Sequence, residues 1–353
     1  MYLCSEKVKN VAMEQTKAKY FLLPATLCLL GILGLAYYFF LTDFSRHCDT
    51  QYVYIDDDDT VDSVFCKLDT IASSHSMMAL HTLLRHSGYA SHVRTGRYAI
   101  ESGASTVSVF RQLKSGRQQP MKLTIPESRT MERLAAQLSQ RLMLDSATIA
   151  SALTDPTFTA SLGYDTTTVA CLFVPNTYEV YWDLSLDRLM SRMQKEHDAF
   201  WDGKRTQQAQ VLGLTPNEVC TLASIIDEET ANTEEKPMVA GMYLNRLKQD
   251  MPLQADPTVK FALKQFELRR IYNTMLKYDS PYNTYRYAGL PPGPIKIASV
   301  KGIDAVLNRV EHPYLYMCAK EDFSGTHNFA TTYQEHLKNA ARYTKALNER
   351  GIK

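Results

Sequence analysis

The stretch Leu214–Leu247, LTPNEVCTLASIIDEETANTEEKPMVAGMYLNRL, holds the most legible instructions in the chain. It opens on a helix start: Thr215 suits the N-cap, Pro216 the first helical position, and Glu218 stands three residues after the cap, as a capping box requires. Leu214 and Val219 have the spacing of a hydrophobic staple. Val219, Leu222, Ile226 and Glu229 then recur at intervals of three and four, which stacks them on one helical face. A carboxylate therefore lies on the stripe that the helix buries. Burial without a cation raises a carboxyl pKa, and a glutamic acid still protonated near neutrality is what general-acid catalysis needs. A Glu turned to solvent or paired with an arginine fits the same periodicity. Asp227 and Glu228 leave the stripe and are expected in solvent, and the i, i+2 offset keeps Asp227 from facing Glu229. On this spacing Asp227→Ala is a mild change. A second helix is expected from Pro237 to about Lys248.

Outside this stretch the strongest signal is apolar. Phe21–Leu41, FLLPATLCLLGILGLAYYFFL, carries no charge and has the length of a bilayer span. Lys7, Lys9, Lys17 and Lys19 precede it, whereas Arg46 is the first basic residue after it. That asymmetry predicts a single-pass anchor with a cytoplasmic tail (1–20), a transmembrane helix (21–41) and the rest of the chain outside. Tyr37 to Phe40 would form an interfacial aromatic belt, and the run ends in aromatics rather than a small-residue cleavage site.

The 353 residues allow two domains, and 45% hydrophobic with 22% charged residues is an ordinary globular balance. A net charge of +1 gives no reason to expect nucleic acid. Seven scattered cysteines form no CxxC or Cys/His cluster, so no metal site or disulfide framework is indicated, although Cys48 and Cys66 are available to pair. No cofactor is expected, because phosphate-loop, dinucleotide, G-x-S-x-G and H-E-x-x-H motifs are lacking.

After the anchor, Gln51–Ile55 reads as a strand and Asp56–Asp59 as a solvated acidic turn. A helix follows with Val61, Val64, Phe65 and Leu68 on its apolar face. Helix, strand and helix are then expected over Met77–Gly88, Gly96–Ile100 and Ser105–Gly116, and a strand over Met121–Ile125. Leu134, Leu138 and Leu142 mark the next helix, and Leu172–Tyr181 a strand broken by proline. Gln254 and Asp256 fall on a loop entering a helix, and Tyr282–Tyr285 and Gly289–Ile295 are loops that display side chains. Tyr314–Cys318 reads as a buried strand, Gly325–Phe329 as its hairpin return, and a helix around Tyr333–Leu347 closes the chain. Interleaved helices and short strands make the class α+β. One acid on an apolar helix, among amide, carboxylate and tyrosine loops, suits a carbohydrate whose glycosidic oxygen must be protonated.

Those residues carry a resemblance. IPESRT, FVPNTYEVY, LASIIDEET, LNRL, LQADPTV, YNTY, GLPPGPI, YLYM and GTHNFATTYQEH occur in the order found in the YceG-like (MltG) family of membrane-anchored endolytic murein transglycosylases, which the chain resembles from Ile125 to His336. TGRYAI and LKSG are similar to pieces of that family's LysM-like module. The resemblance implies an N-terminal transmembrane helix, a LysM-like module over 42–120 and a YceG-like catalytic domain over 121–353. The family's catalytic glutamate falls on Glu229. Its preceding glutamate and lysine are Asp227 and Glu228 here, and Ile297-Ala298-Ser299 and Ser128 depart from its NPG and PEG.

The implied reaction cleaves the MurNAc–GlcNAc bond within nascent glycan strands without water, leaving a 1,6-anhydro end and terminating strand elongation. Asn245, Gln254, Asp256, Tyr282, Asn283, Tyr285 and His327 are the candidates for holding sugar or balancing positive charge. The implied partners are peptidoglycan strands, the bacterial inner membrane and peptidoglycan synthases or division proteins. The catalytic domain would face the periplasm. Two alternatives differ in kind: a glycan hydrolase in which Asp256 or another acid activates water, and a tethered peptidoglycan-binding scaffold without catalysis.

Overall fold

In the computed structural model, which describes residues 22–268 and 270–351, the apolar segment is a helix, α1 (Leu22–Phe40), long and apolar enough to cross a membrane. The expected cytoplasmic tail and Phe21 lie outside the described residues. Two compact units follow from the packing. One comprises the described chain up to Met121 together with Tyr181–Asp183; the other comprises Lys122–Val180 and the chain from Leu184 onward.

The first unit continues with β1 (Gln51–Ile55), α2 (Val61–Asp69), α3 (Ser74–His86), β2 (Gly96–Ile100) and α4 (Thr106–Ser115). β1 and β2 pair antiparallel, Gln51 opposite Ile100 and Ile55 opposite Gly96. Val53, Ile55, Val64, Leu68, Leu80, Leu84, Tyr98, Val109 and Leu113 close its core. Caps set the helix ends: the Thr60 and Ser105 side chains accept from Ser63 N and Ser108 N, and Gly116 stops α4 at φ 68°, a left-handed turn that favours glycine. The end of α1 is fastened to this unit. Thr106 Oγ1 donates to Phe39 O at 3.1 Å, and Tyr38 stacks on His75 with ring centroids 4.2 Å apart.

Asp59 is not the solvated member of an acidic turn. It accepts from Ser63 Oγ at 2.6 Å and from Lys67 Nζ, which also reaches Asp56 at 3.0 Å. Burial disfavours its charge, but these donors outweigh that cost and hold the carboxyl below its ordinary range. Cys48 and Cys66 are both free and exposed, so the available pairing is not made.

The second unit takes up β3 (Met121–Thr124) from Lys122 and holds α5 (Met131–Ser139), α6 (Ser146–Thr154), α7 (Pro156–Ser161) and β4 (Thr177–Val180), with β3 paired to β4. It continues through α8 (Leu186–Phe200), α9 (Gly203–Leu212), α10 (Pro216–Glu229), α11 (Lys236–Lys248), α12 (Asp256–Ala262) and α13 (Val300–Leu307). The antiparallel hairpin β5 (Tyr316–Ala319) and β6 (His327–Ala330), then α14 (Tyr333–Glu349), complete it. The mixed α+β class is observed. Two strands differ from expectation. Val169–Leu172 forms a 3₁₀ turn and the strand covers only Thr177–Val180, beyond Pro175, which has no N–H to donate. Every residue of β5 is half-buried rather than buried.

α10 is the axis of this unit. The capping box forms in full, with Thr215 N donating to Glu218 Oε2 at 2.7 Å and Glu218 N to Thr215 Oγ1 at 3.3 Å. α9, α11, α12 and α13 all pack on α10, and every residue from Val219 to Ile226 is buried. A helix covered all round is a core helix, not an amphipathic one. Val219, Leu222, Ile225 and Ile226 join Val239, Tyr243, Ile303 and Val306 in a single cluster.

Candidate active site

Because α10 is covered on several sides, its last turn sends three carboxylates into protein. Asp227 contradicts the expectation of a solvated side chain: only 1% of it is exposed, and it pairs with Lys236 Nζ. Its Oδ2 also accepts from Ser299 N at 2.7 Å and its Oδ1 from Ser299 Oγ at 2.8 Å, at the N-cap of α13. A Cβ at Gly302 would lie 2.5 Å from Asp227 Oδ1, so glycine there allows the close approach. Asp227→Ala is accordingly no mild change, since it strands a buried ammonium. Glu228 is also bound, taking a two-pronged contact from Arg129 at 2.7 and 3.2 Å, with Lys296 at 3.6 Å.

Glu229 forms no salt bridge among the described residues; only the charge of Lys260 reaches it, and that charge opposes the rise of its pKa. Tyr243 of α11, itself 2% exposed, donates its O–H to Oε1 at 2.8 Å, and no described residue bonds Oε2. The carboxyl is enclosed by protein on all sides but one, where it lines a cavity of about 290 Å³. Burial pushes its pKa up to about 7; the Tyr243 donor opposes that rise, and the negative charge of Asp256 adds to it. Its place at the C-terminal end of α10 works the same way, because a helix C-terminus is unfavourable for an anion. Burial, then the charge of Glu229, pushes the Tyr243 phenol well above its ordinary value, so Tyr243 remains a donor. The result is a carboxylic acid that keeps its proton near neutrality, with one oxygen held and the other left for what enters the cavity.

Four of the seven other candidates line this cavity: Gln254, Asp256, Tyr285 and His327. Tyr285 donates to Asp256 Oδ1 at 2.6 Å, and burial together with that bond keeps its phenol protonated. The Gln254–Asp256 and Tyr282–Tyr285 loops are laced by Thr284, whose carbonyl accepts from Gln254 N at 3.0 Å and whose hydroxyl accepts from Ala255 N at 3.0 Å. Gln254 has φ +52°, a strained conformation for a non-glycine residue that persists only where its surroundings enforce it. His327 hangs from Glu235, with Nδ1 at 2.8 Å and its main-chain N donating at 2.6 Å.

Asn245, Tyr282 and Asn283 do not line the cavity. The Asn245 amide donates to the carbonyls of His312 (2.6 Å) and Tyr314 (3.1 Å), and the buried Asn283 amide to those of Leu276 (2.9 Å) and Tyr278 (2.7 Å). Tyr282 packs its ring on Phe261 with centroids 4.7 Å apart. The two amides hold loops together, where unpaired main-chain carbonyls would otherwise be stranded.

The cavity also contains residues that sequence patterns did not single out. Tyr243 lies within the opening stretch but on the next helix, where no short-range spacing links it to Glu229. Arg246, 6% exposed, donates to the carbonyls of Leu315 (2.6 Å), Pro252 (3.0 Å) and Leu253 (2.9 Å) and to Gln254 Oε1 (3.3 Å). Burial lowers its guanidinium pKa from the ordinary value. From α14, His336 stacks on Tyr316 at 5.6 Å and lines the cavity, its pKa lowered by burial and by the charge of Arg246.

The family model described as YceG-like matches residues 53–342. The chain is 29% identical over 304 residues to the endolytic murein transglycosylase of Bacillus subtilis (strain 168), covering 82% of each. It is 26% identical over 288 residues to the endolytic murein transglycosylase of Streptococcus pneumoniae serotype 2 (strain D39), which spans 72% of this chain and 51% of that one. A 2.6 Å crystal structure of a YceG-like protein from Listeria monocytogenes superposes with a TM-score of 0.54 at 26% identity, over 83% of this chain and 99% of that one.

Proposed function

The chain belongs to the YceG-like family, and we propose that it is an endolytic peptidoglycan lytic transglycosylase. It cleaves the MurNAc–GlcNAc bond inside nascent glycan strands without water and leaves a 1,6-anhydro-MurNAc end. The observation that carries this reading is Glu229, an acid without a salt bridge among the described residues, held on one oxygen by Tyr243 and lining the cavity. Glu229 Oε2–H protonates the glycosidic oxygen as the bond from C1 to that oxygen breaks. The GlcNAc side leaves as an alcohol, and positive charge develops at the muramoyl C1. The same carboxylate, now ionised, takes the proton of the C6 hydroxyl as that oxygen bonds to C1. Its proton is thereby restored, and no water is consumed. Asp256, held by Tyr285, supplies negative charge beside the positive centre, and Gln254 and His327 orient sugars.

The wider setting belongs to the same proposal. α1 is a single-pass anchor in the bacterial inner membrane with its N-terminus in the cytoplasm, and the first unit is a LysM-like module. The cuts terminate glycan elongation beside peptidoglycan synthases or division proteins. The test is digestion of purified glycan strands by the full chain in oxygen-18 water, with products read by mass spectrometry. Unlabelled anhydro ends are expected. A labelled reducing end would transfer the reaction to hydrolysis with Asp256 activating water, and strand binding without cleavage would leave only a scaffold.

A further inference from the structure

The first unit contains a second concavity, remote in sequence from Glu229. A groove of about 740 Å³ lies between Leu41, the residue directly after α1, and the outward side of α4. Thr106, Val109 and Leu113 turn into the core, so α4 presents Val107, Phe110, Arg111 and Lys114 to the groove, with Arg117 just beyond the helix end. Arg111, Lys114 and Arg117 are exposed, and none has a carboxylate partner among the described residues. A fourth cation, Arg94, donates from Nε to Lys114 O at 3.1 Å. Lys114 Nζ lies 5.7 Å from the Phe110 ring centroid, which places charge over the apolar floor.

We propose that this groove binds the phosphate headgroup and upper acyl chain of an anionic phospholipid of the surrounding bilayer. The inference rests on the reading of α1 as a membrane anchor. Position supports it. Thr106 Oγ1 donates to Phe39 O at 3.1 Å and Ser105 bridges to Asp43, so α4 starts where the span stops. At 1.5 Å per residue, Arg111 and Lys114 follow roughly 8 and 12 Å along α4, and their side chains reach back toward the headgroup layer. Composition supports it too. Leu41, Val107 and Phe110 continue the apolar surface of the span, and the cations stand beside them. A soluble anion would use only the cations, whereas a phospholipid uses the cations for its phosphate and the apolar floor for its chain.

The test uses the full chain in nanodiscs of equal parts phosphatidylglycerol and phosphatidylcholine, with retained lipids counted by native mass spectrometry after release. The wild type is expected to retain phosphatidylglycerol over phosphatidylcholine on the order of 10- to 100-fold, the scale for several juxtamembrane cations. The triple variant Arg111→Gln, Lys114→Gln, Arg117→Gln falls to parity. All three positions are exposed, so an unchanged circular dichroism melt is expected alongside. Phe110→Ser, which keeps the charges, is expected to cut retention of both lipids. Parity in the wild type, or an undiminished preference in the triple variant, overturns the proposal. Displacement of phosphatidylglycerol by millimolar inorganic phosphate also overturns it, by revealing a free-anion site. Release of the wild type from vesicles by alkaline carbonate would sink the anchor reading itself, whereas firm retention with lipid parity sinks the groove alone.

Discussion

Asp227 and Glu229 stand two residues apart on one helix, both are carboxylates, and both are surrounded by protein. Asp227 meets an ammonium, a hydroxyl and the N-cap of another helix. Glu229 meets one phenol and a cavity. Burial is common to both, so burial does not distinguish a structural carboxylate from a reactive one. The difference lies in what replaces the lost water. A cation and main-chain donor make Asp227 a joint between helices, while a single weak donor leaves Glu229 with its proton and its pKa near 7.

The largest effect that would break this contrast is at the acid itself. Glu229→Gln keeps the shape and removes the transferable proton, so anhydro-product formation should fall by about 10²- to 10⁴-fold with the fold intact. Its stability should show the opposite sign. The folded pKa of Glu229 is raised from 4.5 to about 7, so its stabilising contribution is complete below 4.5 and lost as pH rises through 7. Above that window the Gln variant should match or exceed the wild type in thermal melts. A Gln variant that turns over normally would end the assignment.

Next comes Asp227→Ala, expected to cost about 3–5 kcal/mol in denaturant unfolding by leaving Lys236 buried without a partner. Product formation per folded molecule should stay close to wild type. The double variant with Lys236→Met should recover much of the loss; if it recovers nothing, the pairing is not what stabilises this corner. Asn283→Ala should cost about 1–3 kcal/mol of stability by freeing two main-chain carbonyls, with KM for glycan unchanged. A raised KM in a fully stable variant would return Asn283 to the sugar-binding set. The finest probe is Tyr243→Phe. Its O–H favours the ionised Glu229, so its removal should raise that pKa and move the alkaline fall in kcat/KM upward by about one pH unit.

The helix start was legible because capping chemistry is local: Thr215, Pro216 and Glu218 act within one turn and form the expected box. Glu229 was legible because a 3.6-residue period places it behind Ile226. Asp227 was not, since periodicity tells which residues share a face and is silent on how many faces are covered. That depends on α13 arriving from Val300, far along the chain. Tyr243 escaped for the same reason, as its bond to Glu229 crosses from one helix to another. Asn245 and Asn283 give their amides to main-chain carbonyls, a use that sequence does not separate from sugar binding. The return of Tyr181–Asp183 to the first unit, where Trp182 meets Tyr54 edge-on at 5.0 Å, has no local signature.

α10 runs from a closed capping box to Glu229, its final residue, with neighbours gripping it along the way. Such a rod has no wrist, so the acid has little freedom to reach for a polymer or retreat from one. Other parts of the cavity wall are built differently. Met317, Cys318 and Ala319 come from a half-buried hairpin strand, and His336 from α14, which has no fully buried residue. Loosely seated elements yield before tightly packed ones. Under the proposed function, threading a long strand would fall to the hairpin and the terminal helix, with the proposed proton donor fixed like an anvil.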